Sequence, residues 1–360
     1  MTNDTTALRA DTETGAGPDD EARKEAAAKE RAVKIARDAV TACQTLLGVT
    51  ATGVDMPGGA RDSVRVLFAD RSVIVTRRKS AQRARLEVSA LYALRARGVP
   101  VPEVIAFDGV WLIQEDLGRR RLSQALREAG PAEAETWLDA ALASLAEAQM
   151  AGMDAGLDRI VVTIGGKDDW VRRLLDMPAR LGRLLDLAPP PLDEDAYVDF
   201  LRVRRSGFVK WDARPGNAMA LDDGTVAWFD WEHCGRRNRL DDFGWLMADE
   251  YAPDLGDGED RLIERRLPAF IDDRDDLDEA RTYLTVFATI HSCVRLALIL
   301  TSKKDKPWRD AKLTLAGDKV GVTRQQCEKG LVRAARWAAA TPLTENLAPW
   351  FEKLVGRLPD

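Results

Sequence analysis

Residues 208–247 read FVKWDARPGNAMALDDGTVAWFDWEHCGRRNRLDDFGWLM, and this stretch decides the fold. Asp212 and Asn217 stand five apart with Pro215 and Gly216 between them, which forces a loop rather than a strand or helix. Two β runs follow, Ala218–Leu221 and Val226–Phe229, joined by Asp222-Asp223-Gly224, a strong hairpin turn. The second run ends on Asp230. A hairpin rising from one loop returns its last residue beside that loop, so Asp212, Asn217 and Asp230 are expected to converge. Two hard-oxygen ligands beside a free carboxylate form the set that Mg²⁺-assisted phosphoryl transfer requires: metal held against phosphates, and a base to orient a hydroxyl.

On the amino-terminal side the apolar period changes. Residues 63–68 and 72–77 are short β-branched runs around the turn Ala69-Asp70-Arg71, and a hairpin is expected. SAQRARLEVSALYALRARG (80–98) reads as an amphipathic helix, with Leu86, Ala90, Leu91 and Leu94 on one face and Gly98 as its stop. VPVPEVIAF (99–107) and VWLIQEDL (110–117) read as two further strands. Beyond Leu117 helices are expected over 131–151, 167–187, 193–206 and from 238 to the end. The chain thus divides into a disordered tail at 1–18, rich in Thr, Asp and Gly, a helix at 19–48, a small β-rich lobe at 49–116 and a large helical lobe at 117–360. Ile35, Val40, Cys43, Leu46 and Leu47 give the 19–48 helix a thin apolar stripe, expected to pack on the lobe behind it.

This arrangement resembles the aminoglycoside phosphotransferase and choline kinase-like family, relatives of protein kinases. The family carries H-G-D-x-H-P-x-N, a hairpin, then I-D-W-E, and a further Asp about a dozen residues later. Here Lys210-Trp211-Asp212-Ala213-Arg214-Pro215-Gly216-Asn217 is followed by Phe229-Asp230-Trp231-Glu232, with Asp242 twelve residues after Asp230. The resemblance implies a two-lobed α+β protein-kinase-like fold. It makes Asp212 the catalytic base, Asn217 and Asp230 the Mg²⁺ ligands, and Asp242 the carboxylate that braces the catalytic loop. Two departures stand out: the family's histidines on either side of the base are Lys210, in the loop-bracing place, and Arg214.

In the small lobe the resemblance implies a phosphate-covering loop and a cation–carboxylate pair. Gly58 and Gly59, just before the hairpin, are placed to let backbone N–H groups approach phosphates. For the strand lysine that normally meets the phosphates the sequence offers Arg77, which shares a side with Val75, with Lys79 in reserve. Glu87 matches its helix partner. Gln114 and Glu115, with Asp116 and Leu117, match the hinge whose backbone meets the nucleotide base.

The implied reaction is transfer of the γ-phosphoryl group of ATP or GTP, with Mg²⁺, to a hydroxyl of a small acceptor. Residues 249–279 are rich in acids, which fits either an amine-bearing acceptor (aminoglycoside, amino alcohol or sugar) or a solvated acidic surface. The alternative is a catalytically silent kinase-like nucleotide-binding or regulatory module, motivated by Lys210, Arg214 and Arg77 and opposed by the intact Asp212, Asn217 and Asp230. A protein kinase is disfavoured, because only WEHCGRRNRLD separates Asp230 from Asp242, too little for an activation segment.

Composition agrees. Fifty-three Lys and Arg against 59 Asp and Glu leave a net charge of −6, which argues against a nucleic-acid partner. Two histidines and four dispersed cysteines disfavour zinc, a Ser-His-Asp site and a disulfide framework. His291 reads as a core residue. Apolar runs such as 294–300 fall short of the ~20 residues of a membrane span, and no signal-peptide pattern opens the chain, so a cytoplasmic location is expected.

Overall fold

The structure, a computed structural model, describes residues 18–56, 63–272, 276–303, 306–316 and 320–359. The tail at 1–17 and the glycines Gly58 and Gly59 lie outside the described residues.

The small lobe opens with α1 (Pro18–Leu47) and β1 (Gly53–Asp55), followed by the hairpin β2 (Ser63–Leu67) and β3 (Ser72–Arg77). Helix α2 (Ala81–Arg95) precedes a second hairpin, β4 (Val104–Phe107) and β5 (Trp111–Glu115). The strands form one antiparallel sheet in the order β1-β2-β3-β5-β4. Alternation along the strands gives it two faces. Val64, Val66, Val73, Val75 and Ile113 pack under α1, where Ala39 and Cys43 are fully buried. Arg65, Ile74, Thr76 and Gln114 face the large lobe across a cleft. Ser80 caps α2, its side chain accepting from the Arg83 N–H.

The large lobe continues with α3 (Leu122–Glu128), α4 (Pro131–Asp154), α5 (Leu157–Ile160), α6 (Asp168–Leu184) and α7 (Glu194–Leu201). Four short strands follow: β6 (Gly207–Val209), β7 (Ala218–Ala220), β8 (Val226–Trp228) and β9 (Gly235–Arg237). The chain closes with α8 (Leu240–Ala248), α9 (Asp257–Arg266), α10 (Leu277–Lys303), α11 (Ala311–Ala316), α12 (Arg324–Ala338) and α13 (Ala348–Val355). Helix α10 is the spine of this lobe, packed against α6, α8 and α12. By length and composition it could cross a membrane, contrary to the sequence expectation, but 83% of its apolar window is buried inside the protein. It behaves as a core helix.

The expected helix at 193–206 stops at Leu201. Arg202, Arg204 and Arg205 follow, and continuing the helix would stack Arg202 and Arg205 as like charges three apart. Strands β1 and β9 are three residues each and α3 only seven, too short to show a period in the sequence.

Candidate active site

Two short antiparallel pairs deliver the loop that carries Asp212 and Asn217. Strand β6 pairs with β9, anchoring the chain as it enters at Lys210. Strand β7 pairs with β8, so Ala218 lies opposite Trp228 and the Phe229 N–H reaches the Asn217 carbonyl at 3.1 Å. Asp230 therefore emerges beside the loop that carries Asp212 and Asn217. Asn217 Nδ2 donates to Asp212 Oδ2 at 2.8 Å and to the Asp212 carbonyl at 3.1 Å, which fixes the orientation of the aspartate. The amide oxygen of Asn217 accepts no hydrogen bond from the described residues, and Asn217 and Asp230 both line the cleft.

The backbone here is held in an unfavourable conformation. Trp211, Asp212 and Asp230 have φ of 53°, 66° and 62°. Left-handed backbone is uncommon away from glycine and costs on the order of 1–3 kcal/mol per residue. Asp242 on α8 supplies part of the compensation: its carboxylate accepts the N–H groups of Lys210 at 2.7 Å and Trp211 at 2.8 Å. Gln149 Nε2 adds a third donor at 2.9 Å. Burial pushes the Asp242 carboxyl up to about 6, against those three hydrogen bonds.

Lys210 supplies the rest. Its side chain is fully buried, and its Nζ donates to the Asp230 carbonyl at 3.0 Å and the Asp212 carbonyl at 3.4 Å. It lies 5.8 Å and 5.5 Å from the ring centres of Trp228 and Trp231, both fully buried. One ammonium thus ties together two loops with left-handed backbone. Burial lowers its pKa, while Asp212, Asp230 and Asp242 favour the charged form.

The small lobe contributes an arginine, but not Arg77. Arg78 Nε and Nη2 grip both oxygens of the fully buried Glu87, at 2.6 Å and 2.5 Å. The same guanidinium reaches Asp230 Oδ1 at 2.8 Å and Glu232 Oε1 at 3.2 Å across the cleft. Arg77 is exposed and lies over the Trp111 ring on the opposite side of the sheet. The odd-numbered side of β3, which Arg77 shares with Val75, is the side covered by α1; the even side, with Ile74 and Thr76, faces the cleft. Burial raises Glu87 and Arg78 opposes it; for Asp230 the pull of Arg78, then of Lys210, outweighs burial and lowers its pKa. The grip on Glu87 and Asp230 belongs to Arg78, so Lys79 is not needed as its substitute.

The hinge needs a similar correction. Gln114 is in the sheet ladder between β3 and β4, and the Glu115 N–H is spent on the Glu103 carbonyl at 2.9 Å. The part of this segment beyond the ladder that borders the cleft is Asp116–Gly118, where Asp116 is clamped by Arg65 Nε at 2.6 Å and Ser72 Oγ at 2.6 Å. Gln114 still lines the cleft through its side chain.

On the acceptor side, carboxylates of the acidic stretch are already engaged within the protein. Arg214, which stands in the second histidine's place, binds Asp249 at 3.2 Å, and Arg295 binds Glu250 at 2.7 Å. Both carboxylates are buried, and Arg295 holds Glu250 down to about 2. Asp254 and Glu259 pair with Arg336, and Asp260 and Glu264 with Arg281. These six acids are therefore not a free set for an amine. His291 is a core residue as expected, packed between Trp245 and Phe287.

Among the described residues no group of three or more His, Cys, Asp or Glu could hold a metal by itself. Asn217 and Asp230 fit Mg²⁺ as a partial set of hard oxygens that leaves coordination places for phosphate and water.

No curated protein sequence matches the chain. Solved structures do. The GDP and kanamycin complex of APH(2")-IIia is similar with 14% identity over 82% of this chain and 96% of that one, at a TM-score of 0.51. A GDP complex of a mutant aminoglycoside 2'-phosphotransferase-IIIa gives 14% identity, 81% and 93% coverage and a TM-score of 0.50. The choline kinase LicA from Streptococcus pneumoniae has 11% identity, 81% and 94% coverage and a TM-score of 0.48. At such identities the first two likenesses bear on the fold, and they agree with the two lobes and the cleft described above. The model of the phosphotransferase enzyme family, APH, matches residues 55–281, more than half of the chain, and the protein belongs to that family.

Proposed function

We propose that the protein transfers the γ-phosphoryl group of a purine nucleoside triphosphate, ATP or GTP, to a hydroxyl of a small molecule. The observation that carries this reading is the meeting of Asp212, Asn217 and Asp230 at one end of a cleft whose other wall presents Arg78. Asp212 is the base that takes the hydroxyl proton as the acceptor oxygen bonds to phosphorus and the bond to the β-phosphate oxygen breaks. Asn217, by fixing Asp212, and Lys210 and Asp242, by fixing the loop, hold the base in place. Bound Mg²⁺, held by Asn217 and Asp230, supplies charge neutralisation for the phosphates. Arg78 adds a second positive charge, kept aimed by Glu87. The base of the nucleotide sits against the sheet near Gln114 and Asp116–Gly118.

The internal pairing of Asp249, Glu250 and four of their acidic neighbours weakens the case for an amine-bearing acceptor, so the acceptor class rests chiefly on the hydroxyl. Two variants test the assignment. Asp212→Asn should leave the Mg²⁺-dependent thermal stabilisation by nucleotide unchanged and lower turnover by about 10²–10⁴-fold. Asp230→Asn should lose the stabilisation itself. Full turnover in either variant would refute the role assigned to that residue. Screening sugars, amino alcohols and neutral polyols side by side identifies the acceptor.

A further inference from the structure

A cavity of about 340 Å³, larger than the roughly 170 Å³ found in the nucleotide cleft, opens behind the catalytic loop. It lies between the end of α7, the start of β6, the residues before α8 and the start of α10, and among the described residues it shares no lining residue with the cleft. Met153, Phe200 and Phe270 give the cavity an apolar side; Ser206, Asn238 and Arg239 give a polar one, and its rim carries charges of both signs, Arg202, Arg204 and Arg205 against Asp272, Asp276 and Glu279.

Arg239 is the unusual member. It is only 6% exposed, yet no carboxylate among the described residues comes within the 4.0 Å of an ion pair. Its Nε donates to Gln149 Oε1 at 3.1 Å and one Nη to the Ala269 carbonyl at 2.5 Å. Both partners are neutral. Burial lowers the pKa of the guanidinium, while Asp272 at the cavity rim and Asp242 act against it without forming an ion pair. A buried cation with only neutral partners is costly unless an anion completes it. Gln149 also donates to Asp242, the carboxylate that holds Lys210 and Trp211, so this arginine is two hydrogen bonds from the brace of the catalytic loop.

We propose that this cavity is a second ligand site, for a small organic anion whose carboxylate or phosphate group meets Arg239 and whose apolar body lies against Met153, Phe200 and Phe270. The site goes beyond the phosphoryl-transfer reading and does not depend on it.

Phenyl phosphate, benzoate, inorganic phosphate and acetate are the probes, each titrated against the melting temperature of the full chain with and without Mg·ATP. Phenyl phosphate or benzoate should raise the melting temperature by about 2 °C or more at saturation. The bare headgroups should do less, and the better of the two aromatic anions tells phosphate from carboxylate. The shift should survive Mg·ATP and disappear in Arg239→Gln. Ser206→Glu, at an exposed rim position, should also abolish it by repulsion and keeps the test valid if Arg239→Gln does not fold. The proposal fails if no probe shifts the melting temperature, if both variants keep the shift, or if Mg·ATP removes it, which would place the anion in the nucleotide cleft.

Discussion

Arg78 and Arg77 are neighbours of the same type with opposite environments, and their contrast makes a sharp test. Arg78 has 10% side-chain exposure and neutralises a Glu87 carboxylate that has none. Arg78→Met strands that carboxylate and should cost about 3–5 kcal/mol in urea unfolding. Arg78→Met with Glu87→Leu should recover most of the loss, because no buried charge is left unpaired. Arg77→Met, on the exposed side, should stay within about 0.5 kcal/mol of the parent; a large loss there would reverse the assignment. The sequence does not separate the two. Residues 72–77 lie in a strand covered on one face by α1 and on the other by the cleft, so Val73, Ile74 and Val75 give no polar–apolar alternation to read. Asp212, Asn217 and Asp230 are legible for the opposite reason: Pro215, Gly216 and the Asp-Asp-Gly turn fix their relative placement locally, whatever packs outside.

Elements carry the precision from which the loop benefits. Gly152, near the end of α4, faces the Phe208 ring of β6, and an added Cβ would drive into that ring. Gly152→Ala should therefore destabilise by about 1–3 kcal/mol and lower turnover as well as stability, because β6 leads directly into Lys210. An unchanged turnover per folded molecule would show that the strand can shift without moving Asp212, the proposed base. Helix α10 offers a pH signature. His291, 3% exposed, has its pKa lowered from 6.5 to about 3 by burial, with nearby Arg295 adding to the effect and Glu250 opposing it. Between those values the unfolded chain binds a proton that the folded protein does not, so this residue makes stability fall as pH falls. His291→Phe, matched to its Phe287 and Trp245 neighbours, should reduce the slope of unfolding free energy against pH by up to one proton, about 1.4 kcal/mol per pH unit. Parallel slopes would place His291 in contact with water. The α10 pattern is readable as a helix because it is 27 residues long; β9, on which β6 depends for its pairing, is not, because three residues with two arginines look like loop.

Across the whole molecule, the two lobes meet through the same guanidinium that is proposed to receive phosphate. Arg78 comes from the small lobe, and its contacts to Asp230 and Glu232 in the large lobe close the cleft over the site. Asp230 is thereby shared: the oxygen proposed for Mg²⁺ is 2.8 Å from a cation already in place. Mg²⁺ alone must approach a carboxylate whose charge is partly neutralised, and a nucleotide alone brings several negative charges into a cleft that also holds Asp212, Asp230 and Glu232. Bound together they would remove both obstacles, because phosphates would compete with Asp230 for Arg78 and leave that carboxylate free for the metal. Metal and nucleotide should therefore bind with positive coupling, of the order of 1–3 kcal/mol, and by linkage each must strengthen the other equally. Calorimetric titration should find little Mg²⁺ binding to the free protein and a nucleotide affinity that rises about 5–150-fold with Mg²⁺, after correction for Mg²⁺ binding to the nucleotide itself. In Arg78→Gln the coupling should shrink toward the value set by metal and phosphate alone, while metal binding to the free protein improves because Asp230 has lost its cation. Equal coupling in the two proteins would mean that Arg78 is a structural tie between the lobes and takes no part in receiving the nucleotide.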